Sequence, residues 1–277
     1  MNHSLARRQF LQEISQPDAC IDLAKAALYL AQEDYPTLVV GDYLTQLDIL
    51  ASEVSKRLPD EHYPLKVIQT INHYVFGELG FTGDTDDYYD PQNSYLNRVL
   101  ERRRGIPITL SLVYLEIARR IDFPMVGIGM PGHFLMRPTL DEMEVFVDAF
   151  HQGEVMFPED CGDRLREVFG RPVELRPEFF QEVSPRQFLA RMLTNLKMIY
   201  VRKGDLDRAL AAIERILLLF PEASLELRDR GLIYYEKGRW ADAIPDLTQY
   251  LNALPLAKDK VMIEQILNTM LRRQSDS

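Results

Sequence analysis

Apolar residues recur at helical spacing through the first hundred positions, beginning with segments 4–15 and 18–33. In the second segment Leu23, Ala26, Ala27, Leu30 and Ala31 form one stripe, while Asp22, Lys25 and Gln32 fall off it. Pro17 and Asp18 mark its start and Pro36 breaks it. A third helix is expected over 42–57, with Leu44, Leu47, Leu50, Ala51 and Val54 inward, and Pro59 ends it. A fourth is expected over 64–79, closed by Gly80. A fifth, over 94–103, places Leu96, Val99 and Leu100 on one side, with Asn93 or Ser94 as its cap.

The pattern then changes. Gly105 stops the fifth helix, and Pro107 suits the first turn of the next, where a missing N–H costs nothing. From there to position 121 Ile108, Leu110, Leu112, Val113, Leu115, Ile117 and Ala118 make a helix apolar on most faces, which belongs in the middle of a fold. Residues 125–130 read as a buried strand, kinked or bulged at Pro131 and Gly132 before His133, and residues 144–150 read as a second strand. A hairpin centred between Leu140 and Asp141 would pair His133 with Asp148 and Leu135 with Phe146. Residues 166–182, with Pro172 and Pro177, read as a linker.

After it the chain repeats itself at a period of 34: Tyr200 recurs as Tyr234, Lys203-Gly204 as Lys237-Gly238, Ala209 as Ala243, and Pro221 as Pro255. Each unit is two helices with a turn at the glycine. Gly231, Tyr234, Gly238, Ala243 and Pro255 occupy the motif positions of a tetratricopeptide (TPR) repeat. Repeats are expected at about 190–223 and 224–257, with a capping helix at about 257–272. The fold class is thus α+β and mostly helical, with domains at 1–182 (central unit 105–150) and 183–277.

Charge narrows the function. A net charge of −10 argues against binding a phosphate backbone, and the run Arg102-Arg103-Arg104 reads as a solvated or ion-paired face. Four aspartates between 83 and 93 invite a calcium reading, but the loop glycine and terminal glutamate of an EF-hand are missing, and a polar surface loop fits better. The five histidines and two cysteines lack metal-ligand spacing, so no metal and no cofactor is expected. Cys20, in a helix, and Cys161, in a loop, read as buried small hydrophobes in a reduced compartment. The paired arginines near the N-terminus suggest an export signal, but Glu13, Asp18 and Asp22 interrupt the apolar stretch that it needs. With no long apolar span, a soluble cytoplasmic protein without membrane contact is expected.

An aspartate bonded to one imidazole nitrogen fixes the tautomer and stabilises the imidazolium, so His133 and Asp148 are candidate base and orienter; the bland reading is a satisfied buried pair. Near the start of the core helix, Thr109 and Ser111 are the candidate nucleophiles. A hydroxyl ionises far less readily than a thiol, and the reading of Thr109 as a first-turn residue bonding free N–H groups is the preferred one.

The run 88–138, containing NSYL, GIPITLS and PGHFL, and followed by FVDAF and the repeats, resembles the bacterial SirB-type family of transglutaminase-like proteins with C-terminal TPR repeats. The resemblance implies a papain- or transglutaminase-like core and a cytoplasmic protein. In the wider group a cysteine in a Gly-x-Cys run opens the core helix. The match puts Pro107 on that glycine, Thr109 on that cysteine, and His133 and Asp148 on the other triad positions. Thiol chemistry is thereby lost from the expected position. One expectation is a non-catalytic or altered-site interaction or regulatory protein, holding a protein or peptide in a TPR groove that includes Tyr200 and Tyr234. The alternative is a Thr/Ser-His-Asp hydrolase or acyl transferase on peptide or amide substrates. A DNA-binding regulator has no basic reading helix to support it.

Overall fold

The computed structural model describes residues 5–60, 63–140 and 144–275. It divides into two compact units, Met1–Met192 and Leu193–Ser277. Helices α1 (Leu5–Ile14), α2 (Leu23–Gln32), α3 (Val40–Ser55) and α4 (Pro64–Asn72) open the first unit, and a π-type turn, His73–Glu78, continues α4. The start of α2 differs from expectation. Asp18–Cys20 is a separate 3-10 turn, and Asp22 caps the helix by accepting the Lys25 N–H at 2.9 Å. A carboxylate directly before the apolar stripe satisfies free helical N–H groups better than Asp18, four residues too early. Cys20 is accordingly exposed and lies outside any α-helix, contrary to expectation.

Two short strands, β1 (Thr82–Gly83) and β2 (Arg104–Gly105), pair in parallel around α5 (Leu96–Arg102). The acidic loop between β1 and α5 is drawn inward rather than left wholly on the surface. Asp84 is buried and accepts from Asn93 Nδ2 at 3.1 Å and from the Asp87 N–H at 3.1 Å. With the Asn93 side chain so occupied, neither it nor Ser94 caps α5; both lie in the 3-10 turn Pro91–Ser94, and Tyr95 is the helix N-cap. The arginine run closes the loop: Arg102 pairs with Asp90 at 2.8 Å and Arg104 with Asp86 at 3.3 Å. Ion pairing is what Arg102 and Arg104 do, whereas Arg103 donates to the Leu79 carbonyl at 2.7 Å.

Helix α6 (Pro107–Arg120) runs through the core, and every residue from Pro107 to Tyr114 is buried. Against it lies an antiparallel sheet ordered β3 (Met125–Ile128), β4 (Leu135–Pro138), β5 (Phe146–Asp148) and β6 (Glu154–Met156). The expected kinked strand is therefore two strands joined by a turn that carries His133. The expected strand over 144–150 ends at Asp148, which caps a 3-10 turn, Ala149–His151. The centre expected for the next hairpin, at Asp141, lies outside the described residues. Its register pairs Met136 with Val147, displaced by two residues from the expected one. A two-residue displacement keeps every side chain on its face, so Leu135 and Phe146 are buried as expected. Helix α7 (Asp160–Phe169) occupies part of the presumed linker and takes in Cys161, expected in a loop. Cys161 and Leu165 join Ile128, Leu135, Phe146 and Met156 in one apolar cluster, with Val173, Leu175, Phe179 and Phe180 packed against it.

Helix α8 (Pro185–Lys203) is followed by α9 (Leu206–Leu219), α10 (Ser224–Glu236), α11 (Trp240–Ala253) and α12 (Lys260–Ser275). These are the repeated helix pairs and the capping helix. Ala209 and Ala243 are fully buried, and a Cβ on Gly231 would stand 2.7 Å from Leu247 Cγ. Tyr200 and Tyr234, expected in the groove, are buried too, at 5% and 7% exposure, with arginines over their rings. Gly231→Ala gains helix propensity of about 1 kcal/mol but overpacks Leu247, and a net destabilisation of about 1 kcal/mol is expected in urea unfolding followed by circular dichroism.

Candidate functional site

His133 stands in the β3–β4 turn. Gly132 before it has φ +69°, and a Cβ there would lie 2.6 Å from Val168 Cγ1, so the turn needs glycine. The His133 N–H donates to the Met130 carbonyl at 3.2 Å, and Arg191 clamps the other side of the turn by donating to the carbonyls of Met130 (2.7 Å) and His133. The imidazole is thereby aimed at the end of β5. Its Nε2 donates to Asp148 Oδ2 at 2.8 Å. Continuing the observed register puts Leu135 opposite Asp148, so His133 reaches the carboxylate diagonally from the turn.

Asp148 is fully buried and saturated. Its Oδ1 accepts the N–H groups of Phe150 (3.0 Å) and His151 (3.3 Å). Its Oδ2 also accepts from His151 Nδ1 at 2.8 Å, and Arg164 Nε of α7 stands 3.2 Å away. Arg164 in turn donates to His151 Nε2 at 3.2 Å and pairs with Glu154 and Glu167. Burial alone would raise the Asp148 carboxyl, but the hydrogen bonds and charge of His133 and His151 hold it well below the usual carboxylate range. Edge-on contacts link the rings of His133, Phe150 and Tyr88 in sequence, and His133 keeps only 4% exposure.

His151 and Arg164 escaped the sequence reading. The signal for the first was its position three residues after Asp148, which the 3-10 turn folds back onto the carboxylate. The signal for the second was an apolar pattern at Cys161, Leu165 and Val168 that marks a helix in the supposed linker. The ligand atoms of His133, Asp148 and His151 lie within 4.8 Å of one another, as in a metal-binding trio. They do not fit an ion well, because both imidazoles already donate to Oδ2 and a guanidinium holds fixed positive charge beside it.

The candidate hydroxyls sit differently. Both Thr109 and Ser111 are fully buried on α6, which packs on β4 and on the turn Ala149–His151. Thr109 Oγ1 donates to the Asn93 carbonyl at 2.6 Å and accepts the Ile106 N–H at 3.1 Å. Ser111 Oγ has no hydrogen-bond partner among the described residues. No hydrogen bond joins either hydroxyl to His133 among the described residues. An orphan hydroxyl costs about 1–3 kcal/mol, which burial of Leu110, Leu112 and Val113 beside it, at about 2 kcal/mol each, offsets. Cys161 offers no substitute thiol, since burial pushes it up to about 11.

The lowered pKa of Asp148 sets a pH dependence. The native state binds this proton less readily than the unfolded chain, so the stabilisation is full above about pH 4 and is lost as pH falls towards the native value. Asp148→Asn is expected to cost about 3 kcal/mol at pH 7 and to flatten stability against pH below about 4, measured by urea unfolding across a pH series.

The model of the Transglutaminase-like superfamily matches residues 41–194, and that of the Tetratricopeptide repeat matches residues 196–268. A UPF0162 protein of Xylella fastidiosa is 38% identical over 253 residues, covering 89% of each chain. Protein SirB1 of Salmonella typhimurium is 28% identical, covering 87% of this chain and 88% of that one. F-box only protein 21 of Pongo abelii is 27% identical over 89% of this chain, which spans 44% of that longer protein. No solved structure matches. A transglutaminase-like domain over more than half of the chain, followed by the repeat match and by relatives that align along nearly their whole length, settles the family: the chain belongs to the transglutaminase-like family of UPF0162 and SirB1 proteins, with TPR repeats behind the transglutaminase-like domain.

Proposed function

We propose that this protein is an interaction or regulatory protein that binds a protein partner through its repeats, and that its transglutaminase-like centre is an ordered scaffold rather than an acyl-transfer site. The observation that carries the reading is the state of Thr109, at the position where a cysteine is expected. Its hydroxyl donates its proton to a backbone carbonyl, not to an imidazole, and its oxygen satisfies a helix N–H. Nucleophilic attack would need that proton passed to a base within hydrogen-bond reach. Asp148 is likewise spread over two histidines and an arginine rather than dedicated to one base.

Repeats of this type generally mediate protein–protein contact, and exposed apolar side chains on the repeat helices support that use here. Met198 and Val201 on α8 and Leu225 on α10 are each about half exposed. Leu225 also lines a cleft of about 600 Å³ with Arg228, Tyr250, Leu254, Leu256 and Lys258. These residues replace Tyr200 and Tyr234 as the test positions, because substituting a buried tyrosine tests packing. A cytoplasmic setting belongs to the same reading; among the described residues no helix is long and apolar enough to cross a membrane.

The hydrolase reading retains one specific support, the unpartnered Ser111 hydroxyl. Affinity capture separates the two. Met198→Ser, Val201→Ser and Leu225→Ser together are expected to lose the captured partner by quantitative mass spectrometry, while His133→Ala retains it. Loss in the His133 variant with retention in the triple variant would refute the interaction reading.

A further inference from the structure

We propose that the outer edge of β3 is a docking site for an extended, basic peptide segment, added as a further strand. Strand β3 lies at one end of the sheet order. The Pro124 carbonyl accepts the Thr139 N–H at 3.0 Å, so alternate residues 124, 126 and 128 bond towards β4, and Met125 and Gly127 present their backbone groups outward. One neighbour already uses this edge. The Val183 N–H donates to the Gly127 carbonyl at 3.0 Å, and Ile128 forms an antiparallel bridge with Glu182. The pairing stops there for a chemical reason. In that register Pro185 would face Met125, and proline has no N–H to give; it starts α8 instead.

The Met125 N–H and carbonyl and the Gly127 N–H therefore have no backbone partner among the described residues. They border a cleft of about 780 Å³ whose apolar walls include Ile21, Leu23, Phe123 and Phe188. An unpaired edge beside an apolar cleft is what an added strand requires: the ladder supplies affinity, and the wall receives alternate side chains. Charge selects the occupant. The lining carries the carboxylates Asp22, Glu116 and Asp122 against the single guanidinium of Arg119. Glu116 is buried and neutralised by Arg119 at 2.9 Å and by Arg120, so the uncompensated charge of the cleft is that of Asp22 and of Asp122, which is exposed with no ion-pair partner among the described residues. Basic residues alternating with apolar ones satisfy both the rim and the wall. This site lies within the first unit and does not depend on the repeats.

The test uses the full chain and a fluorescent hexapeptide alternating valine and lysine, followed by anisotropy. The lysine peptide is expected to bind saturably, about tenfold tighter than its glutamate counterpart. Methylating alternate backbone nitrogens of the peptide, or making Met125→Pro, removes ladder hydrogen bonds and is expected to weaken binding about fivefold. Asp22→Asn with Asp122→Asn keeps the cap of α2 and a residue tolerant of the φ of +56° at position 122, and is expected to weaken binding several-fold even if Met125→Pro fails to fold. No saturable binding, equal binding of the glutamate peptide, or indifference to N-methylation and to the aspartate changes would overturn the proposal. So would a dimer of this chain that occupies the edge, detected by sedimentation and abolished by Met125→Pro.

Discussion

One buried carboxylate organises the first unit. Asp148 has no contact with water, and a charge in that position survives only if every lone pair is met. The groups that meet it come from separated parts of the chain: His133 from the β3–β4 turn, His151 and two backbone N–H groups from the 3-10 turn, and Arg164 from α7. The carboxylate therefore fixes the end of β5, the return of the chain after it, and the seating of α7. The same saturation supports the proposed reading of the centre as a scaffold. A carboxylate that serves one imidazole can poise it as a base; here the charge is shared among three cationic or donor side chains, and the hydroxyl at the start of α6 is bonded elsewhere.

The helices were legible because periodic stripes report burial directly, and the α6 stripe is nearly continuous because that helix is buried all round. His133 and Asp148 were legible through residue type and hairpin parity, although the pairing was displaced by two residues; parity survives such a displacement and the list of opposed residues does not. What stayed hidden had competing local signals. Asp18 beside Pro17 outshone Asp22 as a helix start. Asn93 looked like a cap because sequence cannot reveal that Asp84 takes its amide. Helix α7 was obscured by the prolines that follow it and by acidic residues at its start. With it went Arg164, so the charge balance at Asp148 could not be anticipated.

The second unit was legible for another reason: repetition. A period exposes packing positions whatever their individual roles, yet it does not separate residues that face a ligand from residues that face each other. Tyr200 and Tyr234 recur and both are buried, whereas Met198, Val201 and Leu225 are each about half exposed. The free edge of β3 was hidden from sequence too, since it results from where Pro185 ends a neighbouring pairing.

The central claim is that the core holds no activated nucleophile. Its most direct measurement is the intact mass of the full chain after incubation with a broad-spectrum fluorophosphonate at neutral pH, beside the His133→Ala variant. The account predicts an unmodified mass for both proteins. A single adduct on Thr109 or Ser111 in the unsubstituted chain, absent from His133→Ala, would contradict it.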